Sequence, residues 1–217
     1  KKATELNVDS IKLLLSLMNK NQKIIYPTTN SGYGVGEKGK YCDENSPLRP
    51  VSLYGVTKLQ AEKLVLSHKN SICFRLATVF GYSYRMRTDL IVNNFVQKLV
   101  NENKLDIFEP HFRRNFVHIR DVVASFIFAI QNFNKLKNNI YNLGLSTANI
   151  TKLALAKKIK KNVKKLKINI VTNAKDPDQR DYFVSNKKIE KAGFKATISL
   201  ETGINELVSL FSSSEVK

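Results

Sequence analysis

The hydrophobic and polar residues of the chain follow two alternating periods. Segments with apolar residues three or four positions apart predict amphipathic helices, and short, almost continuously apolar segments predict buried strands. The predicted helices are Thr4–Leu17, Leu53–Ser67, Asp89–Asn101, Val122–Ile130, Ile150–Val163, Asn186–Ala192 and Ser199–Phe211. The predicted strands are Lys23–Pro27 and the segments SICFRLATVF, LDIF, FVHI, IYNLG and KINIV.

This alternation of strands and helices predicts an α/β fold with a parallel sheet covered by helices on both faces. A doubly wound dinucleotide-binding fold begins with a strand and a glycine-rich turn, whereas this sequence begins with a predicted helix. The glycines from Gly32 to Gly39 do follow a strand, but the polar segment DENSPLRP comes next instead of a helix. We therefore do not interpret them as a cofactor-binding turn.

Composition and the first residues indicate a globular protein. Of the 217 residues, 42% are hydrophobic, which suits a compact domain or a domain with a lobe. No apolar run approaches the roughly 18–20 residues that a membrane helix needs. The first ten residues, KKATELNVDS, are polar where a secretory signal would be apolar. We therefore predict a cytoplasmic protein without a membrane partner.

The net charge of +18 raises the alternative of a nucleic-acid-binding protein. Lysine supplies most of the excess, and the lysines are scattered through predicted helices and loops. In the densest run, Lys157 to Lys167, the apolar residues Ile159, Val163 and Leu166 recur at helical spacing, so the lysines form the outer face of a helix. The run lacks the interleaved aromatic residues and arginines of many phosphate-binding surfaces, which disfavours nucleic acid as a partner.

The two cysteines and three histidines do not indicate a metal site. Cys42 and Cys73 are isolated in the sequence, and the histidines are not at the spacing of zinc ligands. We predict two reduced thiols, with Cys73 in a buried strand, and no bound metal.

Tyr54 and Lys58 form a YxxxK pair on the predicted helix Leu53–Ser67. Residues four positions apart lie on the same side of a helix, so the lysine ammonium would be close to the phenol. Tyrosine has an ordinary pKa of about 10, which is too high for a base at neutral pH, and a neighbouring cation lowers it. The pair is thus a candidate for acid–base chemistry.

Several ordered segments, together covering nearly the whole chain, resemble the NAD-dependent epimerase/dehydratase family of extended short-chain dehydrogenases/reductases, whose members act on nucleotide sugars. These segments are ELNVDSIKLLLSL, IIYPTTNSGYG, SLYGVTK, FRLATVFG, RRNFVHIRDVV, PDQRDYFVSNKKIEKAGF and SLETGINEL. The resemblance implies a partial Rossmann-like doubly wound sheet plus a smaller mixed α/β substrate-binding lobe. Residues 1–81 and 114–135 would form the Rossmann-like part, and residues 82–113 and 136–217 the lobe.

The resemblance also implies roles for individual residues. Thr29 matches the hydroxyl residue that holds the reacting sugar oxygen, and Tyr54 matches the acid–base residue. Lys58 matches the residue that binds the nicotinamide ribose and lowers the pKa of the tyrosine, so Tyr54 and Lys58 would also contact the cofactor, NAD or NADP.

A second set of residues would bind the nucleotide-diphosphate sugar. Arg114 and Arg180 match family arginines that hold the diphosphate, which suits the paired geometry of a guanidinium group. Ser31, Arg87 and Asn93 lie where the family has further substrate contacts. His118 and Asp121, by contrast, are expected to fix a strand-to-helix turn.

The sequence departs from the family pattern at three points. Asn30 and Ser31 stand where dehydratases have an acidic or polar–Glu pair, which disfavours 4,6-dehydration. Thr78 stands where UDP-galactose 4-epimerases have an asparagine, which puts close equivalence to those enzymes in doubt. The glycine-rich unit that binds most of the NAD molecule is absent from the sequence.

These points favour an NAD(P)-dependent nucleotide-sugar epimerase or ketosugar reductase, and they are compatible with a homodimer. The 217 residues alone are expected to be inactive. The alternative is a non-catalytic truncated remnant that retains the lobe for the sugar nucleotide.

Overall fold

The computed structural model of the chain describes residues 2–162, 167–172 and 178–214. The strands are β1 (Ile24–Thr29), β2 (Tyr41–Cys42), β3 (Ser71–Leu76), β4 (Thr78–Phe80), β5 (Lys104–Phe108), β6 (Arg113–His118), β7 (Asn139–Leu143), β8 (Asn149–Thr151), β9 (Lys167–Val171) and β10 (Phe183–Val184). The α-helices are α1 (Lys2–Thr4), α2 (Ser10–Leu17), α3 (Leu53–Ser67), α4 (Ile91–Glu102), α5 (Ile119–Gln131), α6 (Phe133–Leu136), α7 (Lys152–Lys160), α8 (Lys187–Ala192) and α9 (Leu200–Ser214). A π-helical turn, Glu5–Asp9, joins α1 to α2, and short 3-10 helices span Asn30–Tyr33 and Ser146–Ala148.

Strands β1, β3 and β7 form a parallel three-stranded sheet in the order β1-β3-β7. Helix α3 lies in sequence between β1 and β3, and α5 lies between β3 and β7, which is the connection that parallel strands require. The predicted α/β fold with a parallel sheet is confirmed.

Helices cover both faces of this sheet. One hydrophobic cluster joins α2 and α3 to β1 and β3, and it contains Ile11, Tyr26, Ala61, Val65 and Cys73. On the opposite face, the ring of Phe74 packs against Phe126 of α5, with 5.4 Å between the ring centres. Because successive side chains of a strand point to opposite faces, Cys73 and Phe74 belong to different layers. The prediction that Cys73 is a free, buried thiol in a strand is confirmed.

Three further short sheets are present among the described residues, and the strands of the first show that one predicted strand is divided in two. Strand β4 pairs with β6, which also pairs with β8 in antiparallel orientation. The segment SICFRLATVF, predicted as one strand, is divided at Ala77 into β3 and β4, which belong to different sheets. The remaining sheets pair β5 with β9 and β10 with β2.

The division into a Rossmann-like part and a lobe stays a prediction. Strand β7 falls in the predicted lobe and hydrogen-bonds to β3 of the predicted Rossmann-like part. Strand β6 falls mostly in the predicted Rossmann-like part, and it pairs with β4 of the same part and with β8 of the predicted lobe. Partners distant in sequence therefore determine the sheet in which each of these strands lies.

Most predicted helices are observed. Helix α3 begins and ends at the predicted residues, and the Ser52 side chain caps it by accepting a hydrogen bond from Gly55 N at 3.2 Å. Helix α7 spans Lys152–Lys160, whereas Ile150, the first residue of the predicted helix, belongs to β8, and residues 161–162 form a turn. Val163, the last residue of that prediction, and the neighbouring Leu166 lie outside the described residues. Within the described part of the chain, none of the helices combines the length and apolar character required to cross a bilayer.

Candidate active site

A cavity of about 680 Å³ opens beside the carboxyl ends of β1 and β3. In open α/β sheets, ligands bind outside the carboxyl ends of the strands, so this is the expected place for a site. Six of the residues that the sequence singles out line it: Thr29, Ser31, Tyr54, Arg87, Arg114 and Arg180. The fold thus brings residues from distant parts of the sequence to one cavity.

Tyr54 is in the first turn of α3, with Ser52 as the helix cap. About half of its surface, 51%, is exposed, although it is a large aromatic residue. Since it also lines the cavity, its ring is accessible to a ligand. The Tyr54 carbonyl accepts a hydrogen bond from the Thr57 hydroxyl at 3.1 Å, which helps to fix this turn.

Lys58 lies one turn further along α3, and its ammonium group is held against Tyr26 and Pro27 of β1; Lys58 is not among the residues that line the cavity. Nζ donates hydrogen bonds to the Tyr26 hydroxyl at 2.8 Å and to the Pro27 carbonyl at 2.7 Å, and it lies 4.2 Å from the centre of the Tyr26 ring. Burial lowers the pKa of Lys58 and raises that of Tyr26 to about 12. The ammonium is therefore fixed close to the residues that precede Thr29.

Thr29 ends β1 and caps the following 3-10 helix. Its Oγ1 accepts a hydrogen bond from Ser31 N at 3.1 Å and donates one to Ser31 Oγ at 2.9 Å. Thr28, which sequence reasoning did not single out, also lines the cavity. Its buried hydroxyl has no hydrogen-bond partner among the described residues. The Thr28 hydroxyl beside the cavity is thus without a partner among the described residues, whereas the Thr29 hydroxyl is engaged by Ser31.

Arg114, Arg180 and Asp178 form an ion cluster in the cavity wall. Asp178 is 3.1 Å from Arg114 Nη2, and it also accepts hydrogen bonds from Arg180. Arg180 contacts Ser31 Oγ as well. Burial alone would raise the pKa of Asp178, but the hydrogen bond from Arg180 and the two positive charges lower it to about 2.

Arg87 and Asn93, the other predicted substrate contacts, have different positions. Arg87 is exposed and forms a bidentate ion pair with Asp89, at 2.7 and 2.6 Å. Asn93 is buried and does not line the cavity; its Oδ1 accepts from Gly81 N and its Nδ2 donates to the Arg87 carbonyl. The adjacent residue Asn94 lines the cavity instead. A substrate contact of Asn93 stays a prediction.

The strand-to-helix turn between β6 and α5 contains the two residues predicted to fix it. His118 Nδ1 accepts a hydrogen bond from Arg120 N at 3.2 Å and so caps α5. The Asp121 carboxylate accepts hydrogen bonds from the backbone N–H groups of Thr197 and Ile198, which ties the turn to the segment before α9. This structural prediction is confirmed.

Three of the four glycines between Gly32 and Gly39 are packed against protein atoms, whereas Gly39 has none within 4 Å of a Cβ position. Gly34 has a φ of 64°, and a Cβ atom at this position would lie 1.8 Å from the Arg49 carbonyl oxygen. A Cβ at Gly36 would contact Cys42 and Tyr182. These glycines therefore allow close approach of neighbouring chain segments, in agreement with their exclusion as a cofactor-binding turn.

Sequence reasoning missed four charged residues of the cavity lining, Asp89, Asp106, Lys152 and Asp178. The only signal for Asp178 was its place two positions before Arg180 in the segment PDQRD. Lys152 lies in a lysine-rich region, where nothing in the local pattern distinguishes it from the exposed lysines that follow. These residues reach the cavity through packing between segments that are distant in sequence, which a local pattern does not show.

The combination of groups defines what the cavity can do. A half-exposed phenol and two threonine hydroxyls can exchange protons and hydrogen bonds with a hydroxyl of a ligand. Two arginines in the same wall can hold a phosphate group. The Lys58 ammonium, which lies beside β1 and outside the cavity lining, is a donor of the kind that would fit ribose hydroxyls of a dinucleotide.

A family model described as "NAD dependent epimerase/dehydratase family" matches residues 2–144. An uncharacterized UDP-glucose epimerase from Bacillus subtilis is 33% identical over 125 residues, which are 54% of this chain and 38% of that protein. The dTDP-D-glucose 4,6-dehydratase of Mus musculus is 27% identical over 205 residues, which are 88% of this chain and 56% of that protein.

Solved structures show the same fold. The UDP-glucuronic acid 4-epimerase of Bacillus cereus, in complex with UDP-glucuronic acid and NAD, superposes with a TM-score of 0.83 at 23% identity. The match covers 96% of this chain and 68% of that one. The first curated relatives that the chain matches are longer, since it spans between 38% and 61% of their lengths.

Proposed function

The chain belongs to the NAD dependent epimerase/dehydratase family, and from this premise we propose that its protein is an NAD(P)-dependent nucleotide-sugar epimerase or ketosugar reductase. The observation that carries the proposal is the shared cavity of Thr29, Tyr54, Arg114 and Arg180. It combines groups for proton transfer at a sugar hydroxyl with groups for a diphosphate. The family is NAD dependent, which confirms the predicted type of cofactor at the family level.

Tyr54 is the proposed acid–base residue. When bound, the nicotinamide cofactor supplies the hydride acceptor and donor. Tyr54 takes the proton from the sugar hydroxyl as that carbon is oxidised, and it returns a proton when the carbon is reduced. An epimerase uses both half-reactions on one sugar, whereas a ketosugar reductase uses the second alone. The exposure of Tyr54 to the cavity supports this role.

Lys58 and Thr29 support Tyr54 in this proposal. Lys58 lies one turn from Tyr54 on α3, so its positive charge is on the same side of the helix as the phenol. Its Nζ atom would also donate to the ribose hydroxyls of the nicotinamide nucleotide. Thr29 would turn its hydroxyl from Ser31 Oγ to the reacting sugar oxygen, a rotation about one side-chain bond.

Arg114 and Arg180 are the proposed diphosphate ligands. Asp178 holds both guanidinium groups in the cavity wall, so their geometry is set before a substrate arrives. Fixed cations bind an anion with a smaller loss of side-chain entropy than mobile ones. Ser31, Arg87 and Asn93 remain proposed substrate contacts. Cytoplasmic location and a homodimer also stay predictions.

Epimerisation or reduction is proposed over 4,6-dehydration because of the two residues that follow Thr29. Asn30 is a buried amide whose side-chain atoms have no hydrogen-bond partner among the described residues, and Ser31 is engaged by Thr29 and Arg180. Neither side chain carries a carboxylate that could remove a carbon-bound proton. The lack of a carboxylate at these two positions supports epimerisation or reduction over dehydration.

The proposal is tested by incubating the full-length protein with NAD or NADP and a panel of nucleotide sugars and nucleotide ketosugars. Product stereochemistry is read by NMR, and cofactor oxidation by the absorbance of the reduced nicotinamide. Inversion at one carbon without net consumption of cofactor supports an epimerase, and stoichiometric oxidation of the reduced cofactor supports a reductase. Tight binding of a nucleotide sugar without any turnover would instead support the non-catalytic alternative.

A further inference from the structure

We propose that the Tyr26 hydroxyl is a positioning group for Lys58, which holds the ammonium in place and leaves one of its N–H donors for the nicotinamide ribose of the cofactor. This inference rests on the proposed function, because Lys58 is the proposed ribose ligand. Tyr26 is not among the described residues that line the cavity, so it acts through Lys58 alone.

Tyr26 lies in β1, and its ring packs against α3. The ring belongs to the hydrophobic cluster that contains Ala61 and Val65 of this helix, and 9% of the Tyr26 surface is exposed. The hydroxyl at the far end of the ring accepts a hydrogen bond from Lys58 Nζ at 2.8 Å. A phenylalanine would fill the same space in the cluster. Packing therefore explains the ring of Tyr26 but not its hydroxyl.

Three contacts restrict the Lys58 ammonium. Besides the hydrogen bond to the Tyr26 hydroxyl, Nζ donates one to the Pro27 carbonyl at 2.7 Å, and it lies 4.2 Å from the centre of the Tyr26 ring. A lysine side chain is flexible and loses much rotamer entropy when a ligand fixes it. Because Tyr26 and Pro27 fix Lys58 beforehand, a ligand that binds this ammonium has less entropy to overcome.

One donor of the ammonium stays available for a ligand. An ammonium has three N–H donors, and within the described part of the chain Lys58 uses one for Tyr26 and one for Pro27. Pro27 directly precedes Thr28, which lines the cavity. Tyr54, one helical turn before Lys58, lines the cavity as well. The ammonium is therefore located at the border of the cavity, between the end of β1 and the turn that carries Tyr54.

Tyr26 holds Lys58 without neutralising its charge. Burial raises the pKa of Tyr26 to about 12, so the hydroxyl is uncharged at neutral pH. Glu62, one turn beyond Lys58 on α3, forms an ion pair with Arg75 at 2.6 Å. A neutral acceptor leaves the positive charge of Lys58 for charge-assisted hydrogen bonds to the oxygens of a ligand.

The test is a double-mutant cycle on the full-length protein, measured by calorimetric titration with NAD, NADP and the nucleoside diphosphates UDP, dTDP, CDP and GDP. Tyr26→Phe removes only the hydroxyl, Lys58→Met removes the ammonium, and a third variant combines the two. Tyr141→Phe is the matched control, because Tyr141 is a buried tyrosine of the same sheet. Its hydroxyl donates to the Leu136 carbonyl at 3.3 Å, and its ring centre lies 5.0 Å from Lys188 Nζ.

We expect Tyr26→Phe to weaken binding of the preferred cofactor about 3- to 10-fold, the usual effect of losing one hydrogen bond. Lys58→Met should weaken it about 10- to 100-fold, because charged hydrogen bonds are lost. In the Lys58→Met background, Tyr26→Phe should change the affinity by less than about twofold, since it acts through the ammonium. Affinities for the nucleoside diphosphates should not change in any variant, and Tyr141→Phe should match the parent for every ligand.

Several outcomes would overturn the inference. Parental cofactor affinity in Tyr26→Phe or in Lys58→Met would do so. An equal loss from Tyr26→Phe with and without the Lys58 ammonium would do so as well, because the hydroxyl would then act on the fold. If Tyr26→Phe does not fold, Tyr26→Met takes its place in the cycle with the same expected result, since methionine lacks the acceptor and adapts to the same space. In each case turnover of a nucleotide sugar by the parent would leave the proposed function intact, whereas a parent that binds neither NAD nor NADP would defeat both.

Discussion

At the residue scale, Asp178 organises the two arginines that we propose as diphosphate ligands. We expect Arg114→Ala and Arg180→Ala each to weaken binding of a nucleotide sugar by roughly 10- to 100-fold, because charged hydrogen bonds contribute about 1.5–3 kcal/mol each. Calorimetric titration of the parent and both variants with the nucleotide sugar and with the free sugar measures the affinities. Only the affinity for the nucleotide sugar should fall. Arg85→Ala, at an exposed arginine outside the cavity lining, is the control. Unchanged affinity in both variants would assign the arginines to structural ion pairs.

The depressed pKa of Asp178 predicts a pH-dependent contribution to stability. Its pKa is about 2 in the folded protein, against an ordinary value of 3.8. A carboxyl group with a depressed folded-state pKa stabilises the protein above its ordinary pKa, and it loses this contribution as the pH falls through the folded-state value. Asp178→Asn should therefore be less stable than the parent at neutral pH, and the difference should shrink between about pH 4 and pH 2. Urea unfolding of the parent and of Asp178→Asn across this pH range measures the free energies of unfolding. A difference in free energy that does not vary with pH would contradict the depressed pKa of Asp178.

The sequence predicted several residues that line the cavity, but it did not predict which residues surround them in the folded protein. Thr29, Tyr54, Arg114 and Arg180 could be found because they occur in recognisable local segments, and the fold brings all four to one cavity. Lys152 could not be found, because its position depends on the register between β6 and β8. For the same reason the sequence could not show that Asn94 rather than Asn93 faces the cavity.

At the element scale, α3 carries Tyr54, Lys58 and Glu62 at successive four-residue steps, and Glu62 anchors the helix to β3. Its carboxylate accepts hydrogen bonds from Arg75 Nε and Nη2, the closest at 2.6 Å, and both side chains are 3% exposed. Arg75 also donates to the Tyr33 hydroxyl at 3.1 Å. This buried ion pair fixes the helix on which the proposed chemistry depends.

We expect Glu62→Gln to lower the free energy of unfolding by about 3–5 kcal/mol, because it leaves the buried Arg75 charge uncompensated. The double variant Glu62→Leu, Arg75→Met should recover much of the loss, since apolar pairs of similar volume often replace buried ion pairs without a net cost. Urea unfolding measures all three proteins, with the exposed Lys63→Ala on the same helix as the control. A Glu62→Gln variant as stable as the parent would show that the pair does not anchor α3.

Local patterns predicted helices more accurately than strand pairing. Helix α3 was predicted to the residue because its cap and apolar spacing are local signals. The division of SICFRLATVF at Ala77 had no such signal, because neither glycine nor proline occurs there. It follows from the partners of the two halves, since β3 pairs with β1 and β7, and β4 pairs with β6.

At the scale of the whole molecule, two features indicate how these 217 residues should behave as an isolated polypeptide. Among the described residues, β1 pairs with β3 on one side and with no strand on the other. Helix α5 exposes Val123, Ile127 and Ile130, which lie on one side of the helix. Unpaired strand edges and exposed apolar patches favour association.

We therefore expect a polypeptide of these residues alone to aggregate readily and to bind NAD(H) and NADP(H) weakly. Tyr54 and Lys58 could contact the nicotinamide ribose, but two such contacts rarely offset the entropy of fixing a large flexible cofactor. Calorimetric titration with each cofactor, beside a thermal melt, tests both points. Binding near micromolar affinity together with a cooperative melt would contradict this account.

The central claim is that Tyr54 transfers the sugar hydroxyl proton in NAD(P)-dependent chemistry within this cavity. In its most direct test, the full-length protein is first loaded with the oxidised cofactor. It is then mixed rapidly with the nucleotide sugar that binds most tightly, and the absorbance of reduced nicotinamide is followed over time. The parent should reduce its cofactor within one turnover. Tyr54→Phe should bind the sugar nucleotide with nearly unchanged affinity but reduce the cofactor about 10²–10⁴-fold more slowly, and Tyr84→Phe, at a fully exposed tyrosine, should match the parent. Reduction by Tyr54→Phe at more than half the parent rate would remove Tyr54 from the mechanism.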